Sequence, residues 1–280
     1  MIDIFAALLM AIFQGIIEWL PISSEGQLSL LFVNFYGMNP LEAVTLALLL
    51  HIGTMISVLW IFRSEFLQMG NLNAKITQVT AIATLGTAIT AVPIVLIFKN
   101  YWETWTQNFL IQPDILFTLI IGILLILTGI ILAKQPSQGT RELSSITQKE
   151  ALLLGMAQGV AALPGISRSG ITITVLLIIG LTQKEAFRTS FVISVPAVLG
   201  ATSLEFLLSG FSIQGDGLIV GTVVFPYWLL LLTIILTTFV GLATISGLLQ
   251  LKDLPFDKFC IGFGGGTVLL AILAFIIQVV

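Results

Sequence analysis

The sequence predicts an all-α polytopic membrane protein: six transmembrane helices plus two re-entrant helical hairpins, arranged as an inverted-topology repeat. Three observations carry this: the composition, two kinds of apolar segment, and self-similarity between the halves of the chain. Of 280 residues, 57% are hydrophobic and only 9% are charged, against about 25% charged in a soluble domain. So little charge cannot wet a globular surface, which excludes a soluble enzyme. Disorder needs low hydrophobicity and high net charge, and this chain has neither. A basic nucleic-acid binder is excluded because Lys+Arg is 11 against Asp+Glu 14. One cysteine, Cys260, and one histidine, His51, rule out disulfide frameworks and multi-Cys/His metal centres.

A spanning helix takes about 20 apolar residues. Segments 41–62, 76–98, 114–133, 185–208, 226–249 and 258–279 meet that length. The N-terminus does not read as a cleavable signal: Asp3 is its first charge and no small-residue cleavage site follows. Two further apolar stretches, 4–36 and 149–182, are each broken at the centre. The breaks are Pro21-Ile22-Ser23-Ser24-Glu25-Gly26 and Pro164-Gly165-Ile166-Ser167-Arg168-Ser169-Gly170. Neither half of either stretch comfortably spans a bilayer. Irregular backbone at membrane depth survives only inside protein or against a wet cavity. Both stretches therefore read as hairpins that dip in and return on the same side. The alternative is two ordinary spans each, with the cluster as a surface loop.

Charge sorts with the re-entrant reading. If only the six spans cross, Arg63, Lys75, Lys134, Arg141, Lys149, Lys184, Arg188, Lys252 and Lys258 share one side. Lys99 alone lies on the other, and Arg168 lies inside the second hairpin. The positive-inside rule places the large group in the cytoplasm, with both termini and the 209–225 loop outside. Full crossing by both hairpins would sort the loops similarly, so charge does not separate the two readings. Trp60, Trp102, Trp105 and Trp228 fit interfacial aromatic belts, and Glu205 reads as interfacial.

The halves echo each other. Gln14-Gly15 returns as Gln158-Gly159, Leu20-Pro21 as Leu163-Pro164, Ser24 as Ser167, and Glu42-Ala43 as Glu185-Ala186. Residues 1–140 and 141–280 each read as a hairpin followed by three spans, together forming one membrane domain. Three spans is an odd number, so the second copy enters from the opposite side. Inverted repeats place their sites near the midplane, at the repeat interface.

Gln14 and Glu18 are four residues apart and share a helix face. A carboxylate deep in an apolar stretch is costly and usually functional. Ser23 and Ser24 can cap the next helix, Glu25 suits its first turn, and the free N–H groups there favour an anion. Ser167, Arg168 and Ser169 occupy the matching bend, with Thr172 one turn on. Arg168 can fork onto phosphate oxygens, pair with Glu18, or snorkel to an interface. Meeting tip to tip, the hairpins would form a pocket for a phosphate or diphosphate. A divalent cation there would be held by Glu18 with water and phosphate oxygens. His51 falls mid-span, as a buried hydrogen-bond partner or as a functional group.

Gln14-Gly-Ile-Ile-Glu18-Trp-Leu-Pro-Ile-Ser-Ser24-Glu-Gly26, taken with Pro164-Gly-Ile-Ser-Arg168-Ser-Gly170, resembles the undecaprenyl-diphosphatase family of bacitracin-resistance membrane phosphatases. The resemblance covers essentially the whole chain. It implies removal of the terminal phosphate from a polyprenyl diphosphate, leaving the monophosphate carrier lipid. By the same resemblance Glu18, Ser24 and Arg168 are catalytic. From the placement of the residues themselves, Ser23, Ser167, Arg168, Ser169 and Thr172 are expected to bind phosphate, with Gln14, Gln27, Glu25 and His51 in support. A magnesium or calcium ion is implied, with Glu18 as its ligand, as are a cell-membrane location, a site opening outward and a homodimer as one arrangement.

One departure matters. The family's first motif usually ends Ser-Thr-Gly-His, and here it runs Ser24-Glu25-Gly26-Gln27. Glutamine is neither a nucleophile nor an acid or base near neutral pH. Three repairs are open: Ser24 as nucleophile with Glu18 as base, attack by a metal-bound water, or His51 supplying the imidazole. The competing function is a transporter or flippase of polyprenyl phosphate or another anion on the same scaffold.

Overall fold

The computed structural model describes residues 4–107, 111–134, 139–208, 212–220, 223–248 and 256–279. Asp3 and Lys252, which entered the charge argument, lie outside these. Six of the described helices are long and apolar enough to cross a membrane. They are α3 (Pro40–Ile61), α5 (Lys75–Thr106), α6 (Pro113–Ala133), α9 (Gln183–Leu208), α10 (Tyr227–Leu248) and α11 (Phe256–Val279). All but α5 lie within two residues of their expected bounds. Helix α5 runs eight residues past its expected end, carried on by the Tyr101–Trp105 aromatic run.

The two broken stretches form short helix pairs. These are α1 (Ile4–Ile17) with α2 (Ser24–Tyr36), and α7 (Gln148–Val160) with α8 (Arg168–Ile178). The longest of the four has 14 residues, about 21 Å at 1.5 Å per residue, short of the roughly 30 Å hydrocarbon core. Residues 63–68 add a one-turn helix, α4 (Arg63–Gln68).

At the first break, side chains satisfy the carbonyls that the helices abandon. Cys260 Sγ donates to Pro21 O (3.0 Å), Gln27 Nε2 to Ile22 O (2.8 Å) and Ser169 Oγ to Leu20 O (3.4 Å). A bend inside the apolar region is tolerable because its polar backbone is paired.

Packing crosses the midpoint of the chain. Helix α1 lies against α10, and α7 lies against α5, so each hairpin docks on the opposite half. Helices α3 and α9 pair across the centre, as do α6 and α11. The contact of α5 with α7 is backbone to backbone: a Cβ at Gly155 would stand 1.9 Å from Ala83 O. Small residues permit such approach between membrane helices, where dispersion replaces the hydrophobic drive.

Three short strands were not foreseen. β1 (Ser212–Gln214), β2 (Gly217–Val220) and β3 (Val223–Pro226) form an antiparallel sheet in the loop between α9 and α10. Gly215, at φ 54, makes the tight turn, and Leu218, Val220 and Phe225 bury against α2, α3 and their neighbours. The Gly-Asp-Gly between β-branched runs was the available signal. The belt reading needs one correction: Trp60, Trp105 and Trp228 are exposed, but Trp102 is buried between Phe98 and Phe117.

The linker between the halves is clamped by Arg141. Its guanidinium donates to both Glu150 carboxylate oxygens (2.8 and 3.0 Å) and to Ile179 O (2.7 Å), while Thr147 and Glu150 form a capping box on α7. The hydrogen bonds from Arg141, then from the Thr147 backbone, hold the Glu150 carboxyl at about 2 against an ordinary 4.5. A carboxylate lowered on folding stabilises above its unfolded value and loses that contribution as pH falls toward about 2. Arg141→Ala should therefore lower the melting temperature in detergent at pH 7, and the gap to wild type should narrow between pH 4.5 and 2.5. An unchanged gap across that range would refute the clamp.

Candidate active site

The hairpin tips meet at the centre of the bundle. Ser23, the N-cap of α2, sits at φ 59, the left-handed region that a β-carbon disfavours. The strain is held by its hydroxyl, which accepts from Gly26 N (3.3 Å) in its own helix and from Gly165 N (3.2 Å) in the other hairpin. Gly26 is required here, since a Cβ would come within 2.8 Å of Gly165 N. Ser167 caps α8 in the same manner, accepting from Gly170 N at 3.1 Å. Two helix N-termini, with their unsatisfied N–H groups, therefore converge.

Glu18 follows α1 and points into this junction with 5% exposure. Its Oε1 accepts from Arg168 Nη2 at 2.5 Å. Its Oε2 accepts from Gln14 Nε2 (3.0 Å) and from the Ser24 hydroxyl, and faces His51 Nε2 at 3.0 Å. His51 Nδ1 faces Ala47 O at 2.8 Å. Both ring nitrogens thus meet acceptors, the arrangement of an imidazolium. His51 Nε2 is also 3.4 Å from Ser24 Oγ. One buried carboxylate meets the Arg168 guanidinium and the His51 imidazole, with a serine hydroxyl among them. Arg168 keeps a second nitrogen, Nη1, buried and without a partner among the described residues.

These groups line one end of a cavity of about 230 Å³. Glu18, Ser23, Ser24, Glu25, His51, Ser167, Arg168 and Ser169 all contribute. The walls are apolar, from Val44, Val92, Val95, Phe98 and Leu204 among others, and Lys99 and Glu205 also line the cavity. Trp19, next in the chain to Glu18, packs edge to face on Phe191, which also meets Phe62 and Phe187.

Two expected site residues lie elsewhere. Thr172 is fully buried and bonds Ser190 Oγ (2.6 Å) and Arg168 O (2.9 Å), tying α8 to α9 without lining the cavity. Gln27 faces Ile22 O and is also outside the lining. Two cavity groups were underestimated. Glu205 is 3% exposed, so it is buried within the protein, and it accepts from Lys99 Nζ (2.5 Å) and Thr45. Gln158 lines the wall and donates to Thr87 at 2.8 Å; its match to Gln14 was the only signal.

A divalent cation on Glu18 does not fit this donor set. Both carboxylate oxygens are taken, two of their neighbours are cationic, and among the described residues no group of three or more His, Cys, Asp or Glu converges.

The chain matches the family described as bacitracin resistance protein BacA over residues 7–265. It belongs to that family. Among its relatives, the undecaprenyl-diphosphatase of Methanothrix thermoacetophila is 40% identical over 97% of this chain and 98% of its own length. That of Methanopyrus kandleri is 34% identical over 98% of each, and that of the bacterium Carboxydothermus hydrogenoformans 37% over 72% of each. As a BacA family member it is an all-α multi-pass membrane protein, and the matched span contains the second hairpin, all but the first three residues of the first, and every residue that lines the cavity.

Proposed function

We propose that this BacA family protein is a membrane phosphatase that hydrolyses undecaprenyl-type polyprenyl diphosphate to the monophosphate and inorganic phosphate. One observation carries the reading: Ser24, in the first turn of α2, donates to Glu18, lies 3.4 Å from His51 Nε2 and shares an apolar-walled cavity with Arg168, whose Nη1 has no partner among the described residues. A diphosphate would accept from Arg168, Ser167, Ser169 and the two helix ends, with its lipid along the apolar wall. Ser24 Oγ attacks the terminal phosphorus, its proton passes to Glu18 Oε2, and the bond to the bridging oxygen breaks. Arg168 and His51 offset the charge on the transferring phosphoryl group. A divalent cation, where required, is proposed to arrive on the diphosphate. The orientation with basic loops in the cytoplasm and termini outside, the relation of the halves as inverted repeats, and homodimerisation are parts of the same proposal. Cysteine labelling from each side, on positions such as Thr140→Cys and Asp216→Cys, tests the first. Masses measured in nanodiscs test the last.

Purified protein given farnesyl, geranylgeranyl or undecaprenyl diphosphate should release phosphate, and Ser24→Ala should reduce this by ~10³-fold or more. No release from any of these lipids, with magnesium, calcium or manganese present, would sink the proposal. The exchanged hairpin packing favours a second reading, transport of a lipid phosphate by alternating access. Proteoliposomes that move no labelled polyprenyl phosphate would count against it.

A further inference from the structure

Three carboxylates line the cavity, and two are committed. Glu18 takes Arg168, Gln14, Ser24 and His51. Glu205 takes Lys99 and Thr45. Glu25 is different. It stands in the first turn of α2, adjacent to Ser24, half-buried and lining the cavity, and no hydrogen bond to its carboxylate occurs among the described residues. Its electrostatic neighbours are His51 of α3, Glu18, which follows α1, and Glu205 of α9. Arg168 of α8 and Lys99 of α5 complete the charged lining; α6 contributes nothing to it.

An uncommitted carboxylate is an odd furnishing for a cavity that takes a polyanion, because like charges disfavour each other's ionised forms. Proton accounting gives it a use, on the reading that Ser24 is the nucleophile. In the first step Glu18 receives the serine proton. With that proton in place it cannot deprotonate a second nucleophile. Hydrolysis of phospho-Ser24 needs water as nucleophile, hence a second base within the same cavity.

We propose that Glu25 is the general base for hydrolysis of the Ser24 phosphoenzyme. In that step the water oxygen bonds phosphorus and one water proton moves to Glu25. The Ser24 Oγ–P bond breaks, and the proton held on Glu18 returns to Oγ. Inorganic phosphate leaves, and Glu25 releases its proton to solvent. The two half-reactions use two carboxylates, one hydrogen-bonded to the nucleophile from the start and one open to the arriving water.

The test is rapid quenching with geranylgeranyl diphosphate labelled in its terminal phosphate, on wild type, Glu25→Gln and Glu25→Asp in detergent. Glu25→Gln should still form acid-stable phosphoserine at Ser24 in the first turnover. It should then accumulate, with steady-state phosphate release down ~10²-fold, as for a lost general base. The acid limb of the pH–rate profile should flatten in Glu25→Gln, and Glu25→Asp should restore part of the rate. Phosphoenzyme that turns over in Glu25→Gln as fast as in wild type overturns the assignment. So does a Glu25→Gln effect confined to the magnesium dependence with the pH profile intact, which would make Glu25 a cation contact. If no variant, wild type included, forms phosphoserine while phosphate is still released, the serine mechanism itself has failed, and Glu25's role with it. If Glu25→Gln does not elute as a folded monodisperse species, Glu25→Ala carries the same comparison.

Discussion

Glu18→Gln should reduce phosphate release by ~10²-fold or more, the size of effect seen when one preorganised electrostatic group is removed. The substitution keeps the shape of the side chain and removes its charge. Arg168 and His51 then face each other across a neutral amide, and Ser24 loses its proton acceptor. Removing one partner from a buried ion group costs about 3–5 kcal/mol, because the remaining charge is stranded. The melting temperature should fall with the activity. A second variant separates the two effects. Glu18→Gln combined with His51→Gln removes one stranded cation, so it should recover part of the lost stability and none of the lost turnover. Recovery of turnover in the double variant would refute the assigned role of Glu18. Retention of wild-type stability in the single variant would refute the ion triad.

Gly26→Ala should also disable the protein, by a different route. The added methyl would lie 2.8 Å from Gly165 N and 2.9 Å from Gly165 Cα. Both are backbone atoms of the opposite hairpin tip, so no side chain can rotate away. Relief requires the tips to separate, which breaks the Ser23–Gly165 hydrogen bond and moves Ser24 from Arg168 and Ser167. Overpacking of this kind costs about 1–3 kcal/mol, and a misplacement of about 1 Å in an active site costs ~10²-fold in rate. Gly262→Ala is the control, since a Cβ there meets nothing within 4 Å. Equal activity in Gly26→Ala and Gly262→Ala would show that the tips do not need their contact.

The sequence disclosed what local chemistry determines. Six spans follow from runs of apolar residues, and two breaks follow from Pro-Gly-Ser clusters too central to be surface loops. Glu18 and Arg168 were identifiable because a charge in hydrocarbon demands a reason. What stayed hidden depends on partners remote in the chain. Glu205 read as interfacial because nothing nearby marks it as buried, and its partner Thr45 lies 160 positions away. Thr172 and Gln27 sit in motif positions that suggest ligand contact, yet a hydroxyl and an amide serve equally well on Ser190 and on Ile22 O. His51 was left between two roles, and only the crossing of α3 beside the first hairpin brings its ring to Glu18.

The docking of each hairpin on the opposite half bears on how the protein is made. Helix α7 leaves the ribosome with its partner α5 already in the membrane. Helix α1 has no such advantage, since α10 begins more than 200 residues after α1 ends. At about 5–20 residues per second, that is a wait of tens of seconds for an apolar helix too short to span. Helix α1 is thus among the last of the described helices to be seated. A chain truncated before α10 would carry every residue that lines the cavity, the last being Glu205, but would leave α1 without the helix it packs on.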